Sequence, residues 1–176
     1  MAEAKILHVE QQNLVERCSR PGKFIIWDVG LGAAANAVAA LEALMDSAAD
    51  IEIHSFDKTL APLEFALDHA DELDYLLPHK ETLAQLITYR SVKIAPRIQW
   101  FLHLGDFREA MMNAAWPSPH SVFYDPYSSV SNQEMWTLDH FQKLRDRLDN
   151  DTPCLLTNYT GSSAIRVTWL MAGFYV

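Results

Sequence analysis

Two hydrophobic rhythms alternate along the chain. A short apolar run, Phe24-Ile25-Ile26-Trp27, ends in Asp28, and Gly30 and Gly32 follow, which reads as a strand and a tight glycine turn. From Gly32 to about Ser47, seven alanines accompany Val38, Leu41, Leu44 and Met45 at helical spacing, so a helix is predicted there. Ile51 to Asp57 alternates apolar and polar side chains and again ends in an acid, the pattern of a second strand. Strand, helix and strand make a βαβ unit with two parallel strands.

Beyond it, Pro62 to about Tyr89 is mostly helical and broken near Pro78, a helical insertion placed at about 60–92. Ile98–Leu104 reads as a third strand closed by Gly105-Asp106, and Phe107–Ala115 as a helix stopped by Trp116-Pro117-Ser118-Pro119. A fourth strand over Ser121–Asp125 leads through a loop to a helix over Gln133–Leu148. A fifth strand over Thr152–Asn158, a helix over Thr160–Ala172 and the start of a sixth strand at Gly173-Phe174-Tyr175-Val176 complete the pattern. Residues 1–22 form a polar, partly helical lead-in set off by Pro21-Gly22. The alternation predicts a single α/β domain over residues 1–176, a doubly wound, mostly parallel sheet with helices on both faces.

Composition narrows the function classes. At 49% hydrophobic and 21% charged residues the chain is globular in kind. No apolar run approaches a membrane span, no signal peptide is visible, and Cys18 and Cys154 lack metal spacing, so a reducing cytoplasm is expected. The seven histidines show no ligand spacing either, and no metal is expected. A net charge of −9 argues against tight, unaided nucleic-acid binding but leaves room for a local basic patch.

Ligands of open α/β sheets sit outside the C-terminal strand ends. Four predicted strands end there in an acid: Asp28, Asp57, Gly105-Asp106 and Asp125. Carboxylates gathered on one edge suit a ligand rich in hydroxyl and amino groups, or a cationic one. A glycine turn running into a helix N-terminus offers backbone N–H groups and close approach to the main chain. Two cofactor classes use such a turn. Gly30-x-Gly32-x-x-Ala35 reads as a dinucleotide fingerprint, with Asp57 on the ribose of NAD in an oxidoreductase. Asp28-Val-Gly30-Leu-Gly32 resembles the first motif of class I S-adenosylmethionine-dependent methyltransferases, with Ala34 in place of the usual third glycine. Asp28 favours the second class, since an acid beside a pyrophosphate would repel it.

Further on, Phe123-Tyr-Asp125-Pro-Tyr127-Ser-Ser-Val-Ser-Asn132-Gln-Glu134-Met135-Trp136-Thr137 resembles a segment of the MnmC methyltransferase domain. That family completes the methylaminomethyl group on the wobble uridine of certain tRNAs. Asn36, Asp57-Lys58, Leu104-Gly105-Asp106, Thr157-x-Tyr-Thr160 and Ala172-Gly173-Phe174 agree in order, and the likeness spans about residues 23–176. It implies a Rossmann-like class I methyltransferase fold, an S-adenosyl-L-methionine cofactor and a tRNA partner. It also implies cofactor contacts at Asp28, Gly30, Gly32, Asn36, Asp57, Lys58, Asp106, Phe107 and Asp125. Catalytic roles fall to Asp125 and Tyr127, and acceptor contacts to Tyr127, Asn132 and Glu134. Pro126-Tyr127 and Ser129 depart from the family's Gly-Phe and Pro. A binding protein without transferase activity is the remaining alternative. Met135-Trp136 reads as core packing.

Overall fold

The computed structural model describes residues 1–113 and 116–176. Its strands are β1 (Lys23–Val29), β2 (Asp50–Asp57), β3 (Ser91–Ala95), β4 (Ile98–Leu104), β5 (Ser121–Tyr124) and β6 (Leu155–Thr157). They form one sheet in the order β3-β4-β2-β1-β5-β6, parallel except for β3 against β4. The principal helices after the lead-in are α1 (Ala35–Leu44), α2 (Ala61–Asp68), α3 (Lys80–Tyr89), α4 (Phe107–Ala110), α5 (Leu138–Asp146) and α6 (Ser163–Met171). From the central β1 the chain first builds outward through β2 and β4, then returns to lay β5 and β6 on the other side. The order therefore reverses at β1, and the crevice of a doubly wound sheet opens at the C-terminal ends of β1, β2 and β5.

Both faces of the sheet are covered, which explains the near-continuous apolar run of β1. Phe24 and Ile26 pack with Ile51, Ile53, Trp100, α1 and the insertion. Ile25, Trp27 and Val29, one position out of phase, pack with Phe56, Phe107, Phe141 and Trp169 on the opposite face.

Several boundaries differ from the sequence expectation for local reasons. The helix expected from Gly32 starts at Ala35, because Gly32 and Ala34 have φ of 52° and 62°. The helix expected over Gln133–Leu148 is split. Thr137 is extended and its hydroxyl accepts the His140 N–H at 3.2 Å, so an N-cap restarts the helix after a 3₁₀ turn. Of the helix expected over 107–115, Phe107–Ala110 is helical and the last two positions lie outside the described residues. The fifth strand shortens to Leu155–Thr157, since the Asp149 carboxylate accepts the Asp151 N–H and folds that approach into a turn. No strand forms at Gly173–Val176: Gly173 takes a φ of 91° and the Phe174 N–H returns to the Trp169 carbonyl, turning the tail back on α6. The sixth strand is instead β3, which begins at the end of the expected insertion and runs into the stretch before β4 where the sequence pattern predicts no element. Arg90, at φ 62°, ends α3 and redirects the chain into it.

The lead-in is less peripheral than its polarity suggests. Helical turns across Ala2–Arg17 bury His8, Gln12 and Leu14. The Gln12 amide donates to Thr157 Oγ1 at 2.7 Å and to the Val122 carbonyl at 3.3 Å, and accepts the Ser121 hydroxyl at 2.6 Å. His8 Nδ1 meets the same Thr157 hydroxyl at 2.7 Å. The lead-in is thus joined to β5 and β6 through buried polar groups that have no water to fall back on. Gln12→Leu leaves Ser121 with a buried, unpaired hydroxyl, and a loss of about 1–3 kcal/mol in urea unfolding is expected; an unchanged midpoint would show that the network contributes nothing.

Candidate active site

The turn after β1 sets the geometry. The N–H groups of Gly30 and Leu31 both go to the Phe56 carbonyl, at 2.9 and 3.2 Å, and the Gly32 N–H goes to Asp57 Oδ2 at 3.0 Å. These three donors, expected to be bare, are engaged by the neighbouring β2. What the turn offers instead is closeness. A Cβ on Gly30 would lie 2.1 Å from the Asp125 carbonyl oxygen, so only glycine lets β1 and the end of β5 pass at this distance. Gly32 faces open space. Ala34, where the third glycine of the motif would stand, holds the left-handed φ of 62° that glycine adopts without strain.

Above the turn lies a cavity of about 700 Å³. Gly30, Gly32, Asn36, Asp57, Lys58, Phe107, Asp125, Tyr127 and Asn132 line it, as the sequence leads one to expect, and Leu31 joins them. Phe56, Met135, Tyr159, Met1 and Glu3 also line it, and the sequence pattern does not single them out. For Tyr159 a signal exists, a Thr-x-Tyr-Thr run ending a C-terminal strand. For Phe56 and the lead-in there is none, because their arrival depends on packing.

Three expected site residues stand elsewhere. Asp28 is one residue short of the end of β1 and is not on the cavity wall. Its Oδ2 accepts the Ser55 hydroxyl at 2.6 Å, which accepts Trp100 Nε1–H at 2.9 Å, all beneath α1. Burial, with the Asp125 and Asp57 charges adding to it, lifts Asp28 to a pKa of about 7, and its Oδ1 has no partner. The expected direct cofactor contact at Asp28 is corrected: the strand's alternation turns its side chain inward, onto Ser55 and away from the cavity. Asp106 and Glu134 sit at the rim, off the wall. Asp106 caps α4 and is held well below the usual carboxylate range by the Arg108 guanidinium. Lys58 bridges the rim, 3.5 Å from Asp106 and 3.2 Å from Glu134.

On the wall itself, Asp125 Oδ2 accepts the Asn36 amide at 3.3 Å, and Asn36 Oδ1 accepts the Tyr159 hydroxyl at 2.9 Å. Burial pushes the Asp125 carboxyl above its ordinary range, and the Asn36 hydrogen bond pulls the other way. Asp57 Oδ1 accepts the Thr59 N–H at 3.2 Å, so both its oxygens are oriented. The loop after Asp125 is pinned by Asn132, whose amide donates to the Pro126 carbonyl at 2.6 Å, and Tyr127 stands exposed at φ 69°. Met135 and Trp136 are buried under Tyr124, whose hydroxyl donates to the Met135 carbonyl. That is a packing role, as expected. Among the described residues no group of three His, Cys, Asp or Glu side chains is arranged to hold a metal ion, and no helix is long and apolar enough to cross a membrane.

A family model described as S-adenosyl-L-methionine-dependent methyltransferase matches residues 73–176, more than half of the chain. The chain belongs to this methyltransferase family. Its cofactor is therefore S-adenosyl-L-methionine, and the NAD reading of the glycine turn is set aside. Among solved structures, MNMC2 from Aquifex aeolicus superposes with a TM-score of 0.75 at 24% identity, over 98% of this chain and 54% of that one. The precorrin-6y C5,15-methyltransferase of Geobacter metallireducens gives 0.51 at 13% identity, over 93% and 68%. These likenesses show the fold: a class I methyltransferase sheet. The chain spans about half the length of MNMC2. No curated protein matches it.

The cavity suits this cofactor. Its volume is that of a small-molecule pocket, its floor is kept open by Gly30, and Asp57 and Asp125 face it with carboxyl groups fit for hydroxyls and a positive charge. Two outcomes test the geometry. Gly30→Ala is expected to lower stability by about 2–4 kcal/mol and Gly32→Ala by only about 1 kcal/mol, read by chemical denaturation; the reverse ranking would contradict the close approach. Asp28 keeps a proton in the folded chain at pH values where the unfolded chain has released it. It therefore subtracts stability as pH rises from its ordinary 3.8 to about 7. Asp28→Asn should flatten that part of the stability–pH curve, by up to about 4 kcal/mol across the window.

Proposed function

We propose that this methyltransferase methylates an amine nitrogen, and that its acceptor is the aminomethyl group on a tRNA wobble uridine. The observation that carries the reading is Asp125: a half-buried carboxyl on the cavity wall, at the C-terminal end of β5, held by Asn36 and beside the loop that displays Tyr127. The tRNA acceptor is supported by the Asp125–Thr137 segment and by the fold shared with MNMC2.

When bound, S-adenosyl-L-methionine supplies an electrophilic methyl group on a sulfonium. Gly30 and Gly32 would let it approach the main chain, Asp57 with Lys58 would take the ribose end, and Phe107 with the Asp106 turn would form the adenine side. Asn36 and Asp125 would close the methionine side, with Asp28 buried beneath them. Asp125 orients the neutral amine so that its lone pair points at the methyl carbon. With the methyl passed to nitrogen and the carbon–sulfur pair left on sulfur, Asp125 would accept the proton that the new ammonium releases. Tyr127 flanks the acceptor, while Asn132 and Glu134 hold the loop that presents it. Positioning of this kind can supply about 7–11 kcal/mol of the barrier, and proton acceptance about a further 10²–10⁴-fold in rate.

A second reading keeps the chemistry and replaces tRNA by a small cationic amine. What favours it is the charge of the wall: Glu3, Asp57 and Asp125 line the cavity, and Lys58, the one basic residue among the described lining, is already matched by Asp106 and Glu134. Calorimetry should give roughly micromolar binding of S-adenosyl-L-methionine and S-adenosylhomocysteine and none of NADH. Transfer of labelled methyl to tRNA bearing aminomethyluridine tests the acceptor; transfer to small amines alone selects the second reading. Asp125→Asn should lower kcat by about 10²-fold, and unchanged turnover with cofactor bound would falsify its role.

A further inference from the structure

Asp125 does not stand alone on the wall. It ends a chain of hydrogen bonds that begins at Tyr159, two residues beyond β6. Asn36 is in the first turn of α1 and almost fully buried, so both ends of its amide need partners. Only the Nδ2 group can face a carboxylate, which leaves Oδ1 pointing the other way. There it accepts the Tyr159 hydroxyl at 2.9 Å. The Tyr159 ring is itself seated: His8 meets it edge-on, with centroids 5.3 Å apart, and His8 is tied to Thr157 at 2.7 Å and packs on Phe123 at 4.6 Å. Burial pushes the tyrosine up to about 12, so its hydroxyl remains a donor across the working pH range.

We propose that Tyr159 is a positioning residue for Asp125: its hydroxyl locks the Asn36 amide in the one orientation that presents Nδ2 to the carboxylate. Without that hydroxyl the Asn36 Oδ1 is buried and unpaired, and the amide gains by turning away to satisfy it. Asp125 then loses the donor that holds it in place and favours its charged form. The titratable groups that face this chain are the acids Asp28 from β1 and Glu3 from the lead-in, and His8, which burial lowers to about 4 and keeps neutral. Among the described residues, the Tyr159 hydroxyl is the donor that Asn36 Oδ1 meets. The proposal rests on the reading of Asp125 given above, since what Tyr159 positions matters only if Asp125 handles the amine.

Tyr159→Phe tests it, because phenylalanine keeps the ring against His8 and removes only the hydroxyl. The titration of Asp125 is followed by ¹³C NMR on protein carrying carboxyl-labelled aspartate, its resonance identified by its disappearance in Asp125→Asn. The expected result is an upward shift of about 0.5–1 pH unit in Tyr159→Phe, with the acidic limb of the kcat profile moving the same way. The kcat itself should fall about tenfold while the KM for S-adenosyl-L-methionine stays within about twofold. Asn36→Ala cuts the chain one link on and should shift Asp125 similarly, with no further shift in the double variant. An Asp125 titration that does not move in Tyr159→Phe, or in Asn36→Ala, overturns the proposal. The NMR readout needs no acceptor, so failure of the acceptor reading, seen as full turnover in Asp125→Asn, is distinguishable from failure of the positioning role.

Discussion

The near-contact between Gly30 and the Asp125 carbonyl is the constraint from which the rest of the site follows. β1 pairs with β5 in parallel, and the ladder continues one step past both strands through the Asp125 N–H to the Val29 carbonyl at 2.8 Å. Two chains leaving a sheet side by side must then diverge or touch. Here they touch, because position 30 has no side chain. The turn then enters α1 through left-handed residues at 32 and 34, which brings Asn36 over the end of β5. Asp125 is thereby caught between a backbone it cannot move away from and an amide that binds it.

Burial assigns different states to carboxyl groups that are near neighbours in space. Asp28, enclosed with a single hydroxyl donor, is lifted to about 7. Asp125, partly open, is lifted above its ordinary range by burial, while its one amide donor pulls the other way. Asp106, clasped by a guanidinium and capping a helix, is driven down. Each shift follows the number and charge of donors the group meets against the water it loses. The three acids therefore act differently. Asp28 keeps its proton up to about pH 7 beneath the site, Asp125 opens onto the wall, and Asp106 caps α4 at the rim.

Much of this was legible in the sequence. The alternation of periods placed the parallel strands, and Gly30, Asp57, Asp125 and Asn132 all line the cavity that the strand ends enclose. What escaped reading was what depends on distant partners. Asp28 has the look of a strand-end ligand, yet its register opposite Ser55 turns it into the core. The Ser91–Ala95 strand, which overlaps the expected insertion only at 91 and 92, escapes the pattern because an antiparallel edge of five residues has no strong apolar signature. His8 and Gln12 resemble a solvated lead-in, although their polarity serves Thr157 and Ser121 inside the molecule.

By itself the sequence determined the class of the fold, the position of the glycine turn and which acids reach the C-terminal edge. Those are properties of local periodicity and of residues whose backbone freedom is intrinsic. The tertiary structure alone decided which of those acids face the cavity, how strongly each holds its proton, and that Tyr159 and the lead-in complete the wall. Such outcomes depend on strand register, burial and hydrogen-bond partners brought together from positions as far apart as His8 and Thr157, and no short-range pattern encodes them.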